Sequence, residues 1–169
     1  TPMELLLSPL FSGSSGNAVY VGAGRTGILV DAGVSCARVV SEMKATGIDP
    51  AALSAILITH EHSDHVAGAG ILSRKFDLPI YATEGTWNAM AEKLGAVSAK
   101  NIRVIESGQD FYIGDLDISP FPLPHDAADP VGFSFDCQGL RCGVATDIGH
   151  INDTWMNAVS GCQALVLEA

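Results

Sequence analysis

A mixed α/β or α+β domain is what this 169-residue chain predicts, on three observations. Short segments rich in Val, Ile and Leu alternate with segments of helical spacing through the first hundred or so positions. From Phe111 onward the pattern changes to strands joined by turns marked with glycine or proline. Hydrophobic residues make up 47 % of the chain and charged ones 17 %, the balance of a globule with a sizeable core.

The N-terminal third reads as strands over residues 4–9, 18–21 and 27–31, each apolar or alternating and bounded by glycine and serine. Residues 36–46 space Val39, Val40 and Met43 as a helix does, and Gly47 stops it. The apolar run 53–58 reads as a buried strand, followed from Val66 by a helix to about Phe76. Residues 79–82 form the next strand, 84–94 a helix ended by Gly95, and 102–105 another strand. Strands follow over 111–113, 116–119, 131–136 and 140–145, with strand-like character also in 118–123. Residues 153–159 read as a short helix capped by Asp153, and 164–167 as a last strand. With no internal repeat and no linker, residues 1–169 are read as one domain.

Several classes are disfavoured. No apolar run approaches the ~20 residues needed to cross a bilayer, and the stretch 19–30 is broken by glycines and Arg25. The opening Met3-Glu4-Leu5-Leu6-Leu7 has an acidic start unlike a secretory leader. Cys36, Cys137, Cys142 and Cys162 form no C-x-x-C pair, and reduced thiols in a cytosolic protein are expected. The net charge of −10 gives no support to broad nucleic-acid binding, which shows a basic footprint. Nothing in the pattern sets an oligomeric state.

Three of the five histidines fall in the run His60-Glu61-His62-Ser63-Asp64-His65, between the strand 53–58 and the helix that follows. Imidazole nitrogens and a carboxylate delivered into a strand-to-helix loop suit zinc, iron or manganese. His60 and His62 are two apart, so extended backbone turns both rings to one side. Asp64 and His65 come where the chain turns into the helix and can face a second ion. The plainer alternative is a surface loop with chance histidines, capped by Ser63 or Asp64.

The spacing His60-x-His62-x-Asp64-His65 resembles the signature of the metallo-β-lactamase-fold hydrolases, and the resemblance extends over most of the chain. It implies a four-layered αββα sandwich. His125 matches the family's third-motif histidine and Asp147 the aspartate that bridges two metals. The resemblance therefore implies that His60, His62 and His125 hold one divalent ion, that Asp64 and His65 hold another, and that Asp147 touches both. Two ions in such a site can activate a shared bridging water as hydroxide and neutralise charge on the oxygens of a phosphate or carbonyl. Asp64 is expected to orient or deprotonate the nucleophile, while Glu61 reads as a carboxylate pointing away from the metals.

The histidine after Asp64 resembles the phosphodiesterase and thioesterase branches more than the antibiotic-hydrolysing enzymes. The setting of His125, ahead of Val131-Gly132-Phe133, resembles the nuclease-like branch. Ser12-Gly13-Ser14-Ser15-Gly16-Asn17 and Thr146-Asp147-Ile148-Gly149-His150 resemble small bacterial proteins of the YycJ/WalJ type, described as metal-dependent nucleases. The expectation is a dinuclear zinc, manganese or iron phosphodiesterase acting on nucleic acid, with no membrane association. Ser14, Asn17 and His150 are candidate substrate contacts. The alternatives are a thioesterase or lactonase on the same scaffold, or a non-catalytic metal-binding module. In the family the second ion gains a last histidine from the C-terminal part, and no histidine follows His150 here. A domain incomplete at its C-terminus is therefore expected.

Overall fold

Two stacked β-sheets organise the chain, seen in a computed structural model that describes residues 4–13, 15–124, 127–146 and 161–167. The first sheet carries six strands in chain order: β1 (Leu5–Phe11), β2 (Ala18–Ala23), β3 (Thr26–Val30), β4 (Ala55–Leu57), β5 (Ile80–Thr83) and β6 (Ile102–Ile105). The first three are antiparallel, whereas β3 to β6 run parallel. Parallel neighbours need crossovers. These are α1 (Cys36–Ala45), the pair α2 (Ser63–Val66) and α3 (Ala69–Phe76), and α4 (Glu84–Leu94). The second sheet runs β11-β10-β9-β8-β7, with β7 (Phe111–Ile113), β8 (Leu116–Pro122), β9 (Val131–Cys137), β10 (Leu140–Ala145) and β11 (Ala164–Leu167). Its strands are antiparallel except β11, which pairs parallel with β10.

Side-chain alternation along the strands divides the core in two. Ile28, Val30 and Leu57 meet Leu116, Ile118, Phe133, Phe135 and Val144 between the sheets. Leu29, Ile56, Ile58 and Ile80 face the other way, onto Val39, Met43, Leu72 and Met90 of the helices. That is why β3 and β4 read as unbroken apolar runs: both of their faces are covered. Each such fully buried aliphatic side chain contributes roughly 1.5–3 kcal/mol. The described residues thus form a helix layer on two sheets. The helix expected over 153–159 lies outside the described residues.

Two expectations are corrected. The strand expected over 53–58 is only three residues of ladder, Ala55–Leu57. Upstream, a 3-10 turn at Pro50–Ala52 is capped by the Asp49 carboxylate, which accepts from Ala51 N at 3.0 Å. Downstream, Thr59 N leaves the ladder for the Asp31 carboxylate at 2.8 Å. The single helix expected from Val66 to Phe76 is two, broken at Ala67-Gly68. Gly68 N donates to Ala32 O at 2.7 Å, and a Cβ on Gly68 would stand 2.2 Å from Val34 O. The chain there is pressed against the segment after β3, which interrupts the helix. α2 begins at Ser63 after His62, with no side-chain cap from Ser63 or Asp64.

Candidate metal centre

The site lies where β3 and β4 end. In a parallel sheet the carboxyl ends of neighbouring strands open onto their loops, the usual place for a ligand crevice. β3 delivers Asp31 and β4 delivers Thr59 and His60. Asp31 N donates to Leu57 O at 2.7 Å, so the two strand ends are locked in register.

Asp31 is the hub. It is 1 % exposed, and its backbone is left-handed, with φ of 62°. One carboxylate oxygen accepts from Thr59 N at 2.8 Å. The other accepts from the Thr59 hydroxyl at 2.7 Å and from His65 Nδ1 at 2.6 Å. The Thr59 hydroxyl has one proton, given to Asp31, so it accepts from His60 Nδ1 at 2.9 Å. Both histidines therefore carry their proton on Nδ1 and keep Nε2 basic. For His65 a second contact agrees, since the Asn17 amide Nδ2 lies 3.2 Å from its Nε2.

These imidazoles cluster. The His60 ring centroid lies 4.0 Å from that of His65 and 4.7 Å from that of His62. The Asp64 carboxylate stands 3.7 Å from His65 Nε2 and is one-third exposed, while His60 and His65 are fully buried. A gradient results, with buried imidazoles at the base and Asp64 and the partly exposed His62 towards solvent.

The base is braced by backbone. Asn17 N donates to Asp64 O and Gly33 N to Asn17 O, each at 2.8 Å, and Ala32 N to His65 O at 2.8 Å. The Asn17 side chain spans the same junction: its amide nitrogen lies 3.2 Å from Asp64 O and 3.1 Å from Gly13 O, and its carbonyl accepts from Gly13 N. Gly33 is needed because a Cβ there would sit 1.7 Å from Asp64 O.

The structure brings His60, His62, Asp64 and His65 together. It places Asn17, 3 % exposed, behind Asp64 and His65 in the framework of the loop. Ser14, His125, Asp147 and His150 lie outside the described residues. Among the described residues alone, no group of three or more His, Cys, Asp or Glu is gathered tightly enough to hold an ion. Sequence reasoning passed over Asp31 and Thr59. A usable signal existed: Asp31 ends the apolar run Ile28-Leu29-Val30 and precedes Ala32-Gly33, the profile of a parallel strand emptying into a loop.

Residues 26–169 match the model of the beta-lactamase superfamily domain. The chain belongs to this superfamily. It is 38 % identical over 167 residues to the exodeoxyribonuclease YycJ of Bacillus anthracis, covering 99 % of this chain and 63 % of that protein. It is also 38 % identical over 164 residues to the exodeoxyribonuclease WalJ of Streptococcus pneumoniae, covering 96 % of this chain and 61 % of that one. The chain thus spans somewhat over three-fifths of the length of these relatives. Among solved structures, zinc-bound PqqB from Methylobacterium extorquens superposes with a TM-score of 0.76 at 19 % identity, over 90 % of this chain and 60 % of that one.

Superfamily membership implies divalent metal, and the donor set can be judged on its own chemistry. Imidazole Nε2 and carboxylate oxygen are borderline-to-hard ligands of the kind zinc takes. A metal-binding histidine donates its other N–H to a carboxylate or comparable acceptor. His65 does so directly to Asp31, and His60 does so through Thr59. In donor type and in the acceptors behind their Nδ1 atoms, His60 and His65 suit a metal, although the described residues by themselves gather no complete ligand set. No described helix is long and apolar enough to cross a membrane.

Proposed function

We propose that this protein is a dinuclear metal-dependent phosphodiesterase acting on nucleic acid, of exonuclease type. The observation that carries the reading is the shared lock of Asp31 on His60 and His65, with Asp64 beside them. In this reading His60, His62 and His125 would hold one ion, Asp64 and His65 would hold the other, and Asp147 would serve both. Zinc is preferred, with manganese or iron as alternatives, because mixed nitrogen and oxygen donors accept all three.

The bound ions would supply Lewis acidity and a lowered pKa for water at the reacting phosphate. The chain's own residues do the rest. Asp31 and Thr59 hold His60 and His65 in the tautomer that presents Nε2. Asn17 holds the backbone of Asp64 through its own N–H and its side-chain amide, and that amide also lies beside the His65 ring. Asp64, the carboxylate of the cluster that reaches solvent, orients the attacking water and accepts its proton. Asn17 is read here as a positioning residue, which leaves Ser14 and His150 as the proposed phosphate contacts.

The substrate class is supported by the exodeoxyribonuclease names of the two relatives. The four cysteines are free, which suits a cytosolic setting. The test is a panel of bis-p-nitrophenyl phosphate, an acyl thioester and end-labelled duplex DNA, run with zinc, manganese or iron added. Phosphodiester turnover that needs metal and disappears in Asp64→Ala and His62→Ala, with folding intact, is the expected result. Preference for the thioester would move the protein to another branch of the superfamily. Full turnover in either variant would refute the site.

A further inference from the structure

Glu61 separates two proposed ligands, and its structural connections have no part in the scheme above. The His60 and His62 rings lie against each other with centroids 4.7 Å apart, whereas the Glu61 carboxylate is turned to Ala128. Both ends of the residue are held. Its carbonyl accepts from Lys93 Nζ, in the last turn of α4, at 2.8 Å. Its carboxylate accepts from Ala128 N, at 3.1 Å to one oxygen and 3.4 Å to the other.

The segment around Ala128 is itself fastened on several sides. Asp129 O lies 2.9 Å from the Thr83 hydroxyl and 3.3 Å from that of Thr86, at the start of α4. Val131 N donates to Thr59 O at 2.9 Å, and Leu123 N to Pro130 O at 3.1 Å. A Cβ on Gly85 would stand 2.9 Å from Asp129 Cβ, so the segment packs against bare helix backbone. Glu61 therefore ties the peptide between His60 and His62 to a fixed anchor on one side and to α4 on the other.

We propose that Glu61 is a positioning residue for the metal site, acting through the Ala128 N–H and Lys93 to set the backbone on which His60 and His62 are carried. The inference rests on the metal reading above. Fixing this peptide fixes the separation of two imidazoles, and losing such outer support typically lowers metal affinity by about 10- to 100-fold. A carboxylate that served only solubility would have no such effect.

The experiment measures zinc and cobalt affinity by competition with a chromophoric chelator, the visible spectrum of the cobalt-loaded protein, and exchange of the Ala128 amide in the metal-free protein. Glu61→Ala is expected to weaken cobalt by about tenfold or more, to alter its visible bands and to speed exchange at Ala128. Glu61→Gln keeps an acceptor oxygen for the Ala128 N–H and is expected to restore all three readouts towards wild type. Lys93→Met, which removes only the partner of the carbonyl, gives a smaller loss in the same direction and serves if Glu61→Ala does not fold. Wild-type affinity and spectrum in Glu61→Ala would overturn the positioning role, as would a Glu61→Gln variant as weak as Glu61→Ala. Absence of zinc or cobalt binding by the wild-type protein would instead refute the metal reading, and this inference with it.

Discussion

The Asp31 carboxylate and the His65 imidazole meet at 2.6 Å, where the two side chains are 1 % and 0 % exposed. They are 34 positions apart in the chain, on the ends of different crossover units. A carboxylate buried this deeply needs full hydrogen bonding, and Thr59 and His65 supply it. The left-handed backbone of Asp31 adds local strain of a kind that concentrates at functional sites, and aspartate tolerates it better than most residues.

Asp31→Asn tests the hub with its backbone preference retained. The amide keeps one acceptor oxygen but turns an N–H group towards the donors of Thr59 or His65. Metal affinity should fall by about 10- to 100-fold, read by chelator competition. Wild-type affinity in this variant would mean that the tautomers of His60 and His65 are set some other way.

Thr59→Val removes the relay without changing the shape. It takes away the acceptor of His60 Nδ1 and one of the two donors on an Asp31 oxygen that keeps His65, at a cost of about 1–3 kcal/mol. The urea midpoint and zinc affinity should both drop, and Thr59→Ser, which keeps the hydroxyl, should recover the affinity. A Thr59→Val protein with unchanged zinc affinity would remove Thr59 from the site.

Gly33→Ala should be severe for so small a change. The added methyl would stand 1.7 Å from Asp64 O and 2.7 Å from Asn17 N, both backbone atoms that cannot swing aside. Overpacking of this kind costs roughly 1–3 kcal/mol and sometimes more. Because the displaced atoms belong to Asp64 and Asn17, the fall in denaturation midpoint should come with weaker metal binding. A neutral effect on both would show that the loop is softer than its packing indicates.

Cys142 makes stability depend on pH. Burial first, then the neighbouring Cys162 and Asp136, push its thiol from 9.0 to about 12. Below pH 9 the thiol is protonated in both the folded and unfolded chain, and its contribution is fully present. Between 9 and about 12 the unfolded chain releases this proton and the folded one does not. Stability therefore falls as pH rises, by about 1.4 kcal/mol per unit from this group alone. Urea melts from pH 8 to 11 should show a shallower fall in Cys142→Ala than in wild type. Equal slopes would place the Cys142 thiol in water.

Legibility in the sequence followed locality. His60, His62, Asp64 and His65 were readable because six consecutive residues hold them, and local spacing then set their side-chain directions. Asp31 could be seen only as the end of a strand, since its partners lie 28 and 34 positions downstream. Asn17 reads from the sequence as a substrate contact, and the contacts of its amide with Asp64 O and His65 Nε2 could be seen only in the structure, because the loop it closes folds back onto the metal run. The break at Ala67-Gly68 was invisible for the same reason: the clash that requires glycine there is with Val34, on another crossover.

By itself, the sequence determined the succession of strands, the burial of the run that holds β4, and the metal-type run with its family resemblance. These follow from periodicity and from residues adjacent in the chain. Tertiary structure alone decided that β3 and β4 lie side by side, and so that Asp31 reaches Thr59 and His65. It also decided that Glu61 meets Ala128. The physical reason is that a hydrogen bond depends on where strand ends meet in space, and parallel pairing brings together residues that periodicity cannot relate.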